Sequence, residues 1–462
     1  MARKNRLRRR GKSHAGRNIL LTLLVLLVAG LGAAAFILFE AEKPTVTIKK
    51  EVRFLGSHIE IPFVAGDQKS GLASVVFAIE QGGQQKQLFN RTFQRKAWFG
   101  AAGPHDLAET VEVDVRKTGV KDGKATLVIS ARDFSLNGVF KGNETVLRLP
   151  VTVDTRPPRV AIDHAQQYIR PGGSGIVTYT LSEPVVKHGV EIDNLFFPGY
   201  QLDGKNPLNG KNLFVAYIAL PWDSGKPETT RVIAIDEAGN SGKAGFSMNL
   251  RKVPEKKDRI NVSEGFLKRK IPEFEEHYPE LTGSLLEKYI FVNNEIRRRN
   301  AQTIKEICRK PSPERFWHDR FIRMPGAGRA GFADQRTYYY KGKVIDHQTH
   351  LGMDIASTAR VAIKAANSGK VVFADYLGIY GNTIILDHGQ GLFSLYAHLS
   401  RIDTTPGAMV AKNDTIARSG ATGMAGGDHL HFSMLINGIF VTPREWWDQH
   451  WIDVNINSVI GK

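Results

Sequence analysis

Residues 19–39 read ILLTLLVLLVAGLGAAAFILF: 21 positions without one charge. At 1.5 Å per residue a helix of that length spans about 30 Å, the thickness of a hydrocarbon core. The 18 residues before it carry eight Lys or Arg (Arg3, Lys4, Arg6, Arg8, Arg9, Arg10, Lys12, Arg17) and no acid. A basic N-terminal flank keeps that end in the cytoplasm. The pattern predicts a single-pass helix at 19–39, a basic cytoplasmic arm at 1–18, and a body lying outside the cytoplasmic membrane, in a periplasm or at the cell exterior. A cleaved signal peptide fits less well, because its apolar core runs about 7–15 residues to a small-x-small site. Here Ala33–Ala35 is followed by more apolar residues, and Phe39-Glu40-Ala41 is a poor site.

The chain has 462 residues, enough for several cores, and a net charge of +17. Roughly half of that excess sits in the arm. Positive-inside topology accounts for the arm, so no nucleic-acid partner is expected. The single cysteine, Cys308, excludes an internal disulfide. It lies in the helical pattern TIKEICRK and reads as a packing thiol.

Two similar segments follow. KPTVTI (43–48) opens the first and RPPRVAI (156–162) the second. ARDFSLNG (131–138) and AIDEAGNSG (234–242) close them, and both fit Ala-x-Asp-x-x-x-Asn. Short period-2 runs such as ATLVIS and GIVTYTL, separated by turn residues, predict β-sandwiches. The segment endings resemble bacterial immunoglobulin-like domains, in which Asp and Asn pin a turn. Immunoglobulin-like β-sandwich domains are therefore expected at 43–155 and 156–252, as spacers or as a docking surface for a cell-envelope protein. RKVPEKKDR (251–259) is a polar linker. The pattern at 260–310 is helical, with a Ser284/Glu287 capping box, and a helical segment is assigned to 253–314. Its Arg297–Arg299 cluster reads as a solvated face. From Arg315 to residue 462 the pattern returns to antiparallel β. GKVVFADYLGIYGNTIILDHGQGLFSLYAHL (369–399) reads as three strands, and TYYY (337–340) as strand packing. The expected fold class is mainly β.

Six of the 14 histidines fall between 347 and 431. HLGMD puts His350 and Asp354 four apart, and GGDHLHFSM puts His429 and His431 two apart, on one face of a strand. Imidazole nitrogen and carboxylate oxygen suit zinc. All four could bind, giving a closed structural site. A catalytic zinc instead keeps three protein ligands and leaves one histidine free.

Residues 336–443 resemble the lysostaphin/LytM family of zinc endopeptidases, which cleave peptide bonds in peptidoglycan. The family pattern is His-x-x-x-Asp, Tyr-x-His-Leu, His-Leu-His-Phe. It stands here as HLGMD (350–354), YAHL (396–399) and HLHF (429–432), with SGATG (419–423) in support. The resemblance implies that His350, Asp354 and His431 hold Zn2+, and that His398 and His429 are unliganded catalytic histidines beside the reacting water. It implies a zinc metalloendopeptidase with peptidoglycan as partner and substrate. Two departures stand out. Asp428 replaces the usual Pro before His429, where it could shift a histidine pKa or face solvent. AGFADQR (330–336) replaces Ser-x-Phe-Gly-x-Arg. Some relatives that have lost ligands act only as wall-binding regulators of other hydrolases, which is the alternative reading here. A latent enzyme, its groove covered by the residues before 315, is a third.

GAGRAG (326–331) matches a dinucleotide fingerprint, but no helix pattern follows it, so it is set aside. No His-Glu-x-x-His occurs.

Overall fold

The computed structural model describes residues 15–98, 100, 102–202, 213–251 and 253–461. The basic residues Arg3–Lys12 lie outside the described residues. Two compact units are present: residues 1–157 with 237–240, and 158–236 with 241–462.

In the first unit the apolar run forms the helix Ala15–Leu38, long and apolar enough to cross a membrane, with none of it buried in protein. A two-sheet sandwich follows. One sheet joins Thr45–Ile48, His58–Gly66 and Asp106–Asp114. The other runs Phe54–Leu55, Glu144–Val153, Gly123–Asp133, Leu72–Gln81, Gln84–Thr92. Alternation builds the core: Ile61, Phe63 and Ala65 face Val75, Phe77 and Ile79 across the sheets. Asp133, of the Ala-x-Asp-x-x-x-Asn motif, accepts the backbone N–H groups of Ser135 at 3.0 Å and Asn143 at 2.7 Å, and so pins the turn between the last two strands.

The second unit begins with another two-sheet sandwich. One sheet is Tyr200–Gln201, Leu213–Ala219, Ser174–Leu181, Val160–Ala165. The other is Leu195–Pro198, Lys187–Ile192, Thr230–Ile235, Ser241–Gly245. Helices follow at Glu264–His277, Leu285–Phe291 and Arg297–Ile307, with a π-helical turn, Val292–Ile296, between the last two. The capping box forms as expected: the Glu287 N–H donates to Ser284 Oγ at 3.3 Å, and the Ser284 N–H to Glu287 at 2.8 Å. Cys308 is buried at the end of the last helix. The strand Lys257–Asn261 was hidden in the linker and helical patterns. Its sequence KDRIN has no alternating apolar face, and it exists because it pairs in parallel with Asp334–Tyr340.

The C-terminal part centres on an antiparallel sheet ordered Ala327–Ala330, Met353–Ala356, Leu430–Ile436, Leu392–Leu399, Asn382–Gly389, Gly369–Tyr376, Met409–Val410. The three strands expected within 369–399 are present, and no helix follows GAGRAG. The short helices Pro443–Trp447 and Gln449–Ile452 close this mostly antiparallel β part. They carry Trp446, fully buried against Tyr217, Trp317 and Phe321. Beside it the buried Glu445 accepts from Arg170 at 2.9 Å and from Ser174 Oγ at 2.8 Å, so the second sandwich and the C-terminal part share one core. On the other side of the sheet Phe274, Val292, Ile296 and Ile304 of the helices pack against Ile379, Ile385, Phe393 and Leu395.

Candidate metal centre

Four chain segments deliver the histidines and the aspartate. His350 ends the strand Lys343–His350, and Asp354 lies in the next strand, Met353–Ala356. They do not meet as i and i+4 on one element. A turn at Leu351-Gly352 carries the chain from one sheet, where Lys343–His350 pairs with Asp334–Tyr340, into the next, where Met353–Ala356 pairs with Ala327–Ala330 and Leu430–Ile436. A Cβ on Gly352 would come within 2.4 Å of His431 Nε2, so the close approach at this turn requires glycine. His431 sits in the strand Leu430–Ile436, directly opposite Asp354 on one side and Ala397 on the other.

His350 Nε2 lies 2.9 Å from Asp354 Oδ1 and 3.0 Å from His431 Nδ1; His431 Nδ1 lies 2.9 Å from Asp354 Oδ1. For neutral rings, the outer contacts assign the tautomers. His350 Nδ1–H donates to the Gly331 carbonyl at 2.7 Å, which leaves Nε2 a bare lone pair. The Ser433 hydroxyl donates to the Leu351 carbonyl at 2.9 Å, so it accepts from His431 Nε2–H at 3.1 Å and leaves Nδ1 bare. Asp354 Oδ2 accepts from Arg336 Nη2 at 3.1 Å, which frees Oδ1. Two imidazole lone pairs and one carboxylate oxygen therefore converge within hydrogen-bond distance with no proton between them. That arrangement is repulsive without a cation, and its three ligand atoms with oriented outer partners could hold a metal ion. His350, Asp354 and His431 are all buried.

His398 and His429 stand beside this triad. Their ring centroids are 4.8 Å apart, and His398 is 5.7 Å from His431. His398 is a bulge residue. Three steps along its strand, Tyr396 to Leu399, oppose two along the neighbour, Ile384 to Asn382, and its φ is +63°. A left-handed non-glycine residue in a strand marks backbone held by its surroundings, and bulges re-aim side chains beside active sites. His398 Nδ1–H donates to the Thr422 carbonyl at 2.9 Å, and His429 Nδ1–H to the Gly427 carbonyl at 2.8 Å, so both rings keep Nε2 for chemistry. His429 Nε2 is 3.6 Å from Asp354 Oδ1.

The two environments push the rings apart. Burial, with His429 and His431 nearby, holds His398 well below the usual histidine range. Burial also lowers His429, but the Asp354 carboxylate 3.6 Å away outweighs that and raises it. Burial alone would raise the Asp354 carboxyl; the surrounding His350, His429 and His431 rings hold it well below the usual carboxylate range. A cation on the triad draws on the same Asp354 charge and weakens the hold on His429.

Asp428 is tied down rather than facing solvent freely. Its carboxylate accepts the Arg360 N–H at 3.0 Å and the Ser419 hydroxyl at 2.6 Å, tying two loops beside the site. A cavity of about 300 Å³ holds all five residues. Part of its wall comes from the helical segment, through Val262, Phe266, Tyr289 and Arg297. Reasoning from the sequence missed these, because helical periodicity says which face is apolar and not what that face covers. Arg297, expected on a solvated face with Arg298 and Arg299, is half-buried and lines the cavity. Tyr338 of TYYY is buried and lines it as well.

Residues 348–443 match the profile of peptidase family M23. The chain is 36% identical over 94 residues to DD-carboxypeptidase/endopeptidase Mpg of Neisseria meningitidis, covering 20% of this chain and 22% of that protein. It is 32% identical over 127 residues to peptidoglycan DD-endopeptidase ShyC of Vibrio cholerae, covering 27% and 29%. It is 29% identical over 136 residues to murein hydrolase activator EnvC of Escherichia coli, covering 29% of each. The chain thus spans under a third of the length of these curated relatives. The match takes in every residue of the triad and both flanking histidines, and the C-terminal part of this chain is a peptidase family M23 domain.

Proposed function

We propose that the protein is a membrane-anchored, zinc-dependent endopeptidase that hydrolyses amide bonds in peptidoglycan peptides, with its body outside the cytoplasmic membrane. One observation carries the reading: three proton-free ligand atoms converge at 2.9–3.0 Å with two further histidines facing them from one side. The similarity to ShyC and Mpg supports the substrate class.

His350, Asp354 and His431 would hold zinc. Bound zinc supplies Lewis acidity toward a peptide carbonyl and toward a water. His398, kept neutral by burial, accepts the water's proton at Nε2 and passes it to the leaving nitrogen. His429, the ring raised by Asp354, donates from Nε2–H to the carbonyl oxygen as that atom gains charge. This division follows burial: His398 is the more deeply buried of the two rings and so the harder to charge. Arg336 holds the outer oxygen of Asp354. The apolar wall from Val262, Phe266 and Tyr289 excludes water around the reacting atoms.

The experiment is to incubate the full chain, purified in detergent, with isolated peptidoglycan, with and without a chelator. Soluble products are then identified by mass spectrometry. New amino and carboxyl termini that vanish with chelator and return with zinc are expected. The similarity to EnvC favours a second reading, a regulator of other wall hydrolases. Zinc-loaded protein that yields no products but raises the activity of an added hydrolase would establish that one instead.

A further inference from the structure

The helical segment carries an arginine that the metallopeptidase chemistry above does not use. Arg297 follows directly on the π-helical turn Val292–Ile296. Such turns insert a residue into a helix and recur at functional sites. Here the turn brings Asn293 fully inside. The Asn293 amide donates to Asp346 at 2.6 Å. Its side-chain oxygen accepts from Arg297 Nη2 at 2.6 Å, and its backbone carbonyl from Arg297 Nε at 3.0 Å. One edge of the guanidinium is thereby fixed and the Nη1 end is left over. Among the described residues no carboxylate lies within ion-pair distance of Arg297. Its sequence neighbours behave otherwise: Arg298 pairs with Glu295, and Arg299 with Glu295 and Glu280, all toward solvent.

Two cavities meet at this side chain. The first is the 300 Å³ cavity of the triad. The second, about 690 Å³, runs between Trp222, Arg298, Gln348 and Phe440. Arg297, Tyr380, His350 and His431 line both. A half-buried, preoriented cation without an anion is unfavourable until an anion arrives, and a guanidinium is the side chain best shaped to take a carboxylate.

The geometry points to Arg297 as a specificity-determining residue that binds a free carboxylate of the peptide substrate where the two cavities join. This rests on the reading of the site as peptide-cleaving. The carboxylate is either a terminal one or an acidic side chain within a few residues of the scissile amide. Arg297 lies outside the stretch that matches the family profile, so the preference belongs to this chain's helical segment.

The test is binding, not turnover. Chelator-treated full-length protein in detergent is titrated calorimetrically with three peptides: Ala-Glu-Lys-Ala-Ala with a free C-terminus, its C-terminal carboxamide, and the free acid with Gln in place of Glu. Metal removal ensures that no zinc captures the carboxylate, so a failure of the endopeptidase reading leaves this measurement intact. Wild type is expected to favour one carboxylate over its amide by about tenfold or more, the size of one charge-assisted pair, and the choice of amide that weakens binding identifies the source. In Arg297→Gln that ratio falls to near one while the Kd of the amide stays within twofold. Arg297→Lys, which keeps the charge and loses the fork, retains part of it, and Arg299→Gln, outside both cavities, retains all of it. A wild-type ratio within twofold, or a ratio that survives Arg297→Gln, overturns the inference. If Arg297→Gln does not fold, Arg297→Lys decides: an unchanged ratio there also overturns it.

Discussion

Asp354 has two oxygens and two duties, with Oδ1 turned to the imidazoles and Oδ2 to Arg336. The five site residues therefore separate by experiment. His350→Ala and His431→Ala are expected to lose zinc and activity together, read as zinc per chain and as peptide products. His398→Ala and His429→Ala are expected to keep zinc and lose about 10²–10⁴ in kcat, the contribution of positioned acid–base groups. Zinc lost in His429→Ala would make the site a closed four-ligand one. A fifth histidine carries a pH signature instead. His388 is fully buried between the Ser368 carbonyl and the Ser394 hydroxyl, each at 2.7 Å, and burial pushes its pKa down to about 4. Its folded pKa lies below the unfolded value of roughly 6.5, so the unfolded chain takes the proton first. Stability is whole above about pH 6.5 and falls as pH drops toward 4, by about 3 kcal/mol from this group. Chemical unfolding of His388→Gln across that range is expected to show a shallower acid decline than wild type.

At the scale of elements, the helix Glu264–His277 grips the loop that anchors His398. Lys270 donates to the Ala421 carbonyl, the Gly423 N–H donates to Glu273, and the Thr422 carbonyl between them accepts from His398. Glu273 is thus a positioning residue that acts through Thr422. Glu273→Ala is expected to lower kcat about tenfold with little change in KM and none in zinc content, because a small misplacement of a catalytic group is costly. A rise in activity would carry the opposite meaning: that the helix obstructs the cavity, as a latent enzyme requires. The helices themselves were legible, from a capping box and a 3.6-residue period. What they cover was not. The bulge at His398 was also invisible, since YAHL has no glycine to mark a left-handed residue. Asp346, Asn293 and Arg297 are separated by up to 53 residues, and nothing local to any of them announces the other two.

For the whole molecule, the exposed apolar helix Ala15–Leu38 and the basic arm before it lead to a topology that can be read directly. Alkaline phosphatase, active only when exported, is expected to be active when fused after Glu42 and inactive when fused after Arg17. The chain should remain with membranes through a carbonate wash, and release of a soluble body would instead mark a cleaved signal. By itself the sequence determined the long apolar helix, the mostly β character, the three strands at 369–399 and the identity of the M23 motifs. These depend on period, turn chemistry and residue type, which are local properties of a chain. Tertiary structure alone decided that His350 and Asp354 meet where the chain passes from one sheet to another, that a bulge turns His398 toward them, and that Arg297 leaves a charged surface for the cavity wall. Each of these depends on which distant segment packs against which, through cores that join residues hundreds of positions apart.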